Sequence, residues 1–273
     1  MNKAKYWIGL ILAVSAYLAS ESLVITITGN LVVNAMIQVI VQLMMLIVFL
    51  LAFGLKDSLR FSLKSCGEGV AVGGALVAWT VFNTIFYTIK GIKEYGTPLM
   101  ETKDIIIFVI GVTISAGFAE EFLTRGVIFN FVRSAIGNTK AGIITSIMIP
   151  TVVFGLIHLL HLREGGDPAP VITQVIYAIG IGFFFNALYV RCGNIWFCSL
   201  LHAAFDLSVM VYFCIFRNKG FAGGMVAEWL GYDALILKGV AITVVFFALG
   251  LFLIRDSKLQ KCIERYENEA LEN

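Results

Sequence analysis

Three short clusters of ionisable side chains interrupt long apolar runs in this chain. The first is Glu120-Glu121-Phe122-Leu123-Thr124-Arg125, the second Phe154-Gly155-Leu156-Ile157-His158, and the third His202-Ala203-Ala204-Phe205-Asp206. The sequence holds three histidines. Two of them, His158 and His202, lie in these clusters, and His161 ends the run that carries His158. Ionisable groups are expensive in hydrocarbon and by default mark function. Carboxylates with imidazoles are the equipment of general acid–base hydrolysis. Glu120, His158 and His202 would also suffice as the three ligands of a catalytic zinc, although the HExxH spacing is absent.

Helical spacing separates the roles. Glu121 and Arg125 are four residues apart, share a face and can pair. Glu120 points about 100° away on a 3.6-residue helix and is left to act as general base. His202 and Asp206 also stack one turn apart, and Phe154 stands one turn before His158, where it can wall the imidazole. A plainer reading is that these are interhelical polar pairs that hold a bundle together. His161 is expected to be a loop-end residue, and Glu21 to sit near the outer membrane interface.

The elements that carry these groups are transmembrane helices. Of 273 residues, 59% are hydrophobic and only 14% charged, with mean hydropathy +0.89. A soluble domain carries about 25% charged residues, so most of this surface does not face water. Apolar segments fall at roughly 6–28, 31–53, 69–90, 105–132, 141–160, 171–190, 194–216 and 233–254. Each approaches the roughly 20 residues that span a bilayer, and backbone groups in lipid must be satisfied within helices. The expected fold is an all-α polytopic bundle of about eight transmembrane helices. It forms one membrane domain over 1–273, with the chemistry in 105–216 and a charged tail, 255–273, that can form a surface helix. Gly69 and Gly73 read as ordinary membrane-helix glycines rather than a dimer motif.

A net charge of +2 without a basic face excludes nucleic acid as partner. The five cysteines show no CxxC pair and no disulfide framework. Lys3 and Lys5 precede the first apolar run, with Ala19-Ser20 a conceivable cleavage site, yet hydrophobicity continues to Ile27, so a retained first helix is expected. Lys56, Arg60, Lys64, Arg133, Lys140, Arg191 and the basic tail fall on the same side as the N-terminus. The positive-inside rule then places both termini in the cytosol, with the plasma membrane the expected location. Counted along the helices, His158 and His202 start from one side at unequal depths. Pro150 is therefore expected to bend the fifth segment, or the 191–194 turn to re-enter deeply.

The ordered triple, E-E-F-L-T-R, F-G-L-I-H and H-A-A-F-D, resembles the CAAX-processing and bacteriocin-processing family of intramembrane proteases. That family pattern is a double Glu with Arg, then Phe and His, then His followed four residues on by Asn or Asp. The resemblance implies peptide-bond hydrolysis in the membrane. The matching catalytic set is Glu120, His158, His202 and Asp206. Glu120 and His158 would activate water, and His202 with the fourth position would stabilise the oxyanion. Glu121 and Arg125 would hold the fourth helix in register. Asp206 stands where Asn is frequent, and a carboxylate is a poor oxyanion donor, so orientation of His202 is the alternative role. The expected partner is a membrane-associated peptide or protein substrate, and the reaction is expected to need no metal, with zinc the alternative. Competing readings are a non-catalytic scaffold or immunity protein of that family, and a proton-coupled transporter, whose paired half-repeats have no counterpart in residues 1–104.

Overall fold

In the computed structural model the chain is described over residues 3–21, 27–28, 31–163, 165–217, 231 and 233–272. The described elements are ten helices: α1 (Ala4–Glu21), α2 (Leu31–Ala52), α3 (Leu63–Val72), α4 (Gly74–Tyr95), α5 (Thr102–Ile136), α6 (Lys140–Leu162), α7 (Pro168–Cys192), α8 (Ile195–Phe216), α9 (Leu235–Leu253) and α10 (Asp256–Glu272). Among the described residues there is no strand. Seven of the helices, α2 and α4 to α9, are long and apolar enough to cross a membrane. The shorter α1 joins them in the bundle and is described as far as Glu21, and residues 27–28 of the expected 6–28 segment form a bend; residues 22–26 and 29–30 lie outside the described residues, as do 218–230 and 232 of the expected 217–232 loop.

Burial follows the logic of a protein in lipid. Large apolar side chains stand exposed along α1, α2, α4 and α9, among them Leu12, Met44, Val48, Phe82, Ile85, Val244 and Phe252. Fully buried Phe122, Phe129, Phe131, Phe185 and Leu188 pack with Ile143 and Ile147 between α5, α6 and α7. Every described member of the polar clusters on α5 and α8 except Glu120 and Asp206 is buried among them. Apolar atoms therefore cover both the inside and the outside, and the buried ionisable groups Glu121, Arg125 and His202 lie together in the interior.

Small residues set how closely the site helices approach. A Cβ on Gly117 of α5 would meet the Ser199 carbonyl oxygen and the Ala203 Cβ of α8, each at 2.8 Å. One on Gly69 would meet the Phe197 ring at 2.4 Å, so that glycine serves a contact within the chain. α5 itself is wound wide. Thr113–Ala119 and Phe122–Phe129 are π-helical, and the Glu120 amide bonds back five residues to the Ser115 carbonyl. Such winding is rare and gathers at functional sites. Asn130 Nδ2 closes the widened stretch by donating to the Arg125 and Gly126 carbonyls at 2.8 and 2.9 Å.

Two residues turn the chain from α7 into α8. Gly193 adopts φ +63°, a left-handed C-cap that glycine tolerates. Asn194 then accepts from the Phe197 amide at 3.0 Å as N-cap, while its Nδ2 donates to Ser65 Oγ at 2.8 Å. The turn is thereby pinned to α3, and His202 follows two turns along α8. The tail helix α10 docks beneath this end. Its Leu259, Cys262, Ile263 and Tyr266 are buried, and Arg265 donates to the Val190 and Arg191 carbonyls at 2.7 and 3.2 Å, capping the end of α7.

At Pro150, where a bend is expected, the helix is not interrupted. Helical winding continues from Lys140 to Ile157 through Pro150, and the pitch changes only at His158, where the helix tightens to a 3-10 turn ending at Leu162. Ser146 and Thr151, flanking the proline, turn their hydroxyls back to the Gly142 and Ile147 carbonyls, both at 2.8 Å. Phe154 spans the interval between the two histidines instead.

Gly117 gives a test with opposite signs on one helix. Gly117→Ala is expected to cost about 1–3 kcal/mol by overpacking. Gly111→Ala, whose Cβ would meet nothing within 4 Å, should leave stability unchanged or slightly raised, since alanine is the better helix former. Thermal unfolding of the two variants in detergent decides it.

Candidate active site

Arg125 is the largest fully buried side chain among the described residues. Its guanidinium is held from several directions. Nη1 donates to Glu121 Oε1 at 2.8 Å and to Thr124 Oγ1 at 2.7 Å, and Nη2 donates to the Gly182 carbonyl of α7 at 3.0 Å. The rings of Phe154 and Phe185 lie 5.1 and 5.5 Å from it, near enough for cation–π attraction. A buried charge needs both a counter-charge and hydrogen bonds. Here three helices, α5, α6 and α7, contribute to supplying them.

The same Glu121 oxygen accepts from His202 Nδ1 at 2.8 Å. Glu121 therefore bridges Arg125 to α8, beyond the pairing within α5 that the spacing predicts. The bond also assigns the imidazole. Nδ1 donates to the carboxylate, so Nε2 is the nitrogen turned to the cleft, where Asp206 Oδ2 lies 3.9 Å away. That separation exceeds a hydrogen bond, so Glu121 rather than Asp206 orients His202. Phe185 packs 5.1 Å from the His202 ring and Phe154 5.8 Å from it.

His158 is fixed by a different partner. Its Nδ1 lies 2.8 Å from the Phe154 carbonyl, which can only accept. Nδ1 must carry the proton, leaving the Nε2 lone pair available. The Phe154 ring stands 5.1 Å from His158, as the one-turn spacing predicts, and His161 stacks on its other side at 5.9 Å and 22°. His161 is thus part of the imidazole stack rather than a plain loop end.

Glu120 differs from its neighbour. It is half-buried, and no hydrogen bond to its carboxylate is found among the described residues, whereas Glu121 is fully buried and doubly engaged. Glu120 lies within electrostatic reach of His202, Asp206, Glu121 and Arg125, and His158 within reach of His202 and His161. His202 is the member that connects the carboxylates to the second imidazole. Asp206 keeps 24% of its side chain exposed, against 5% for His202. Glu120 and Asp206 are thus the carboxylates of the set that are not fully buried.

The zinc alternative lacks a gathered donor set. Among the described residues no three His, Cys, Asp or Glu side chains are grouped closely enough to hold a metal ion. No step below is routed through a metal.

Several residues of the site carry no signal that spacing could reveal. Asn186 of α7 is fully buried and donates to Thr151 Oγ1 at 3.1 Å and to the Gly182 carbonyl at 2.9 Å, beside the Arg125 bond. An asparagine within Phe183-Phe184-Phe185-Asn186 is the one polar interruption that could have drawn attention. Tyr177, higher on α7, lies within electrostatic reach of both Asp206 and Glu120. Glu21 is not a lone interfacial group either: Gln42 of α2 donates to it at 2.9 Å.

Removing one member of a buried ion cluster typically costs about 3–5 kcal/mol, because its partner stays charged and unpaired. Arg125→Leu is expected to lose that much, read as thermal unfolding and folded yield in detergent. Arg125→Lys should recover only part of it, since one ammonium cannot reproduce the fork to Glu121 and Gly182.

Comparison with known proteins bears on this segment. No curated protein matches the chain. Residues 102–208 match a family model described as type II CAAX prenyl endopeptidase Rce1-like. The matched stretch starts with α5 and ends within α8, so it contains all three ionisable clusters and the α7 residues that support them. Over Thr102 to Ser208 the chain is therefore similar to the Rce1-like type II CAAX prenyl endopeptidases.

Proposed function

We propose that this chain is an intramembrane endopeptidase that hydrolyses a peptide bond of a membrane-associated peptide or protein by Glu/His activation of water. The observation that carries the reading is the division of labour between adjacent carboxylates. Glu121 is consumed by Arg125 and His202, while Glu120 stands unbonded at the mouth of the same cleft.

In this mechanism Glu120 removes a proton from water, and His158 Nε2 accepts the hydrogen bond that aligns it. The water oxygen attacks the carbonyl carbon, and His202, protonated at Nε2, donates to the oxyanion. Collapse breaks the C–N bond, and Glu120 returns its proton to the leaving amine. Proton count and charge close within one turnover. Asp206 contributes its charge opposite His202 Nε2 rather than a bond.

The bundle sits in this proposal as an integral protein of the plasma membrane with both termini cytosolic. Tyr6 near the start of α1 packs on Phe131 near the end of α5, and α10 docks by Asn138 and Lys140. The basic residues of both termini, Arg133, Lys140 and Arg191 thus gather at one end, as the positive-inside rule requires of a cytosolic face. The family match supports a CAAX-type protease fold, and a substrate with or without a prenyl group is compatible with it.

Glu120→Gln is expected to lower turnover about 10²–10⁴-fold, the range for loss of a general base, with thermal stability near wild type. Glu121→Gln should instead lower stability. The decisive comparison is the membrane peptidome of cells expressing wild type or Glu120→Gln at equal levels. Uncut precursors should accumulate with the variant, and identical peptidomes would leave a scaffold role in place of catalysis.

A further inference from the structure

Asn186 follows three phenylalanines on α7 and has no exposed surface. An amide in such surroundings is costly unless its hydrogens are taken up, and both are. Nδ2 donates to the Gly182 carbonyl, one turn back on α7, at 2.9 Å and to Thr151 Oγ1 of α6 at 3.1 Å. The acceptors also fix which end of the amide is nitrogen. A carbonyl can only accept, and the Thr151 hydroxyl gives its own hydrogen to the Ile147 carbonyl at 2.8 Å.

Each partner leads to one imidazole. The Gly182 oxygen takes a second bond, from Arg125 Nη2 at 3.0 Å, while Arg125 Nη1 holds Glu121 Oε1 at 2.8 Å. That carboxylate oxygen accepts from His202 Nδ1 at 2.8 Å. On the other side, Thr151 lies seven residues before His158, about two helical turns, so both fall on one face of α6. Phe154, between them in the chain, offers its carbonyl to His158 Nδ1 at 2.8 Å. Asn186 is therefore bonded both to the carbonyl that steadies the His202 cluster and to the helix face that carries His158.

We propose that Asn186 is a positioning residue for hydrolysis: by tying the Gly182 carbonyl to Thr151, it sets the separation of His158 and His202. The inference rests on the proteolytic reading above and extends it to a side chain that touches neither water nor substrate. Glycines let α6 and α7 approach closely. A Cβ on Gly155 would meet Ile179 at 2.3 Å, and one on Gly182 would meet Phe154 at 2.9 Å. Such a smooth contact permits sliding, and a directional hydrogen bond fixes the register. Interhelical hydrogen bonds add only modestly to the stability of a membrane bundle. The imidazoles, by contrast, must come within hydrogen-bond reach of one water and one carbonyl.

The test uses full-length protein in detergent and a synthetic copy of the peptide that accumulates in Glu120→Gln membranes. Asn186→Leu keeps a similar volume and removes both bonds. It should lower kcat about 10²-fold, the scale of a misplacement by about 1 Å, with KM within a few-fold and thermal unfolding close to wild type. Thr151→Val should also lower kcat, whereas Thr151→Ser, which keeps the hydroxyl, should stay within a few-fold of wild type. Added to Asn186→Leu, Thr151→Val should lower kcat no further, because both cut the same bond. A merely structural asparagine would reduce folded yield and unfolding temperature and leave kcat per folded molecule unchanged. Should Asn186→Leu fail to fold, Thr151→Val against Thr151→Ser decides alone. If Asn186→Leu and Thr151→Val turn over at wild-type kcat, or lose only in KM, while Glu120→Gln is inactive, the positioning role is overturned and proteolysis stands. If Glu120→Gln yields no accumulating peptide or keeps full turnover, both readings fall together.

Discussion

The buried ion cluster of Glu121, Arg125 and His202 is the constraint from which the rest of the interior follows. A guanidinium with no exposed surface persists in a membrane only with a counter-charge and hydrogen bonds around it. Glu121 answers with charge, Gly182 and Thr124 with oxygen, and Phe154 and Phe185 with aromatic faces. These partners come from α5, α6 and α7, and His202 adds α8. The four helices that build the cleft are therefore locked to one another by a group that does no chemistry. Replacing it by apolar packing could keep a bundle, but not this relative placement of helices.

That lock explains how adjacent glutamates come to differ. Glu121 lies on the inner side of α5 with Oε1 shared between Arg125 and His202, while Glu120, one residue earlier, is half-buried with no hydrogen-bonded partner among the described residues. The π-helical winding on either side of the pair sets the face on which each residue falls. It also brings Ala116 and Gly117 against α8, where only small side chains fit. Close approach of α5 and α8 and the bond from Glu121 to His202 are thus one geometric fact.

The imidazoles are prepared in different ways for different work. A backbone carbonyl takes the proton of His158 Nδ1 and leaves a lone pair at Nε2. A carboxylate takes that of His202 Nδ1 and turns Nε2 towards Asp206. Phe154 lies beside both rings and the guanidinium, so one aromatic side chain joins the imidazoles to the ion cluster.

The sequence by itself determined the class of fold and the identity of the principal polar groups. Long apolar runs leave no alternative to helices, and ionisable residues within them stand out because their cost is high. The i,i+4 relation of Glu121 to Arg125 and the contact of Phe154 with His158 were equally legible, because both lie within one helix. What only tertiary structure decided are the partners that arrive from other helices. These are the Glu121–His202 bond, the Gly182 carbonyl beneath Arg125 and the Asn186–Thr151 pair. Helical periodicity gives the face of a residue but not the neighbour opposite it. Along α5 even the face was uncertain, because the helix is wound wider than the 3.6-residue repeat assumes. The break at Gly73 between α3 and α4 and the continuous winding through Pro150 were likewise settled by packing, which overrides the local preference of a single glycine or proline.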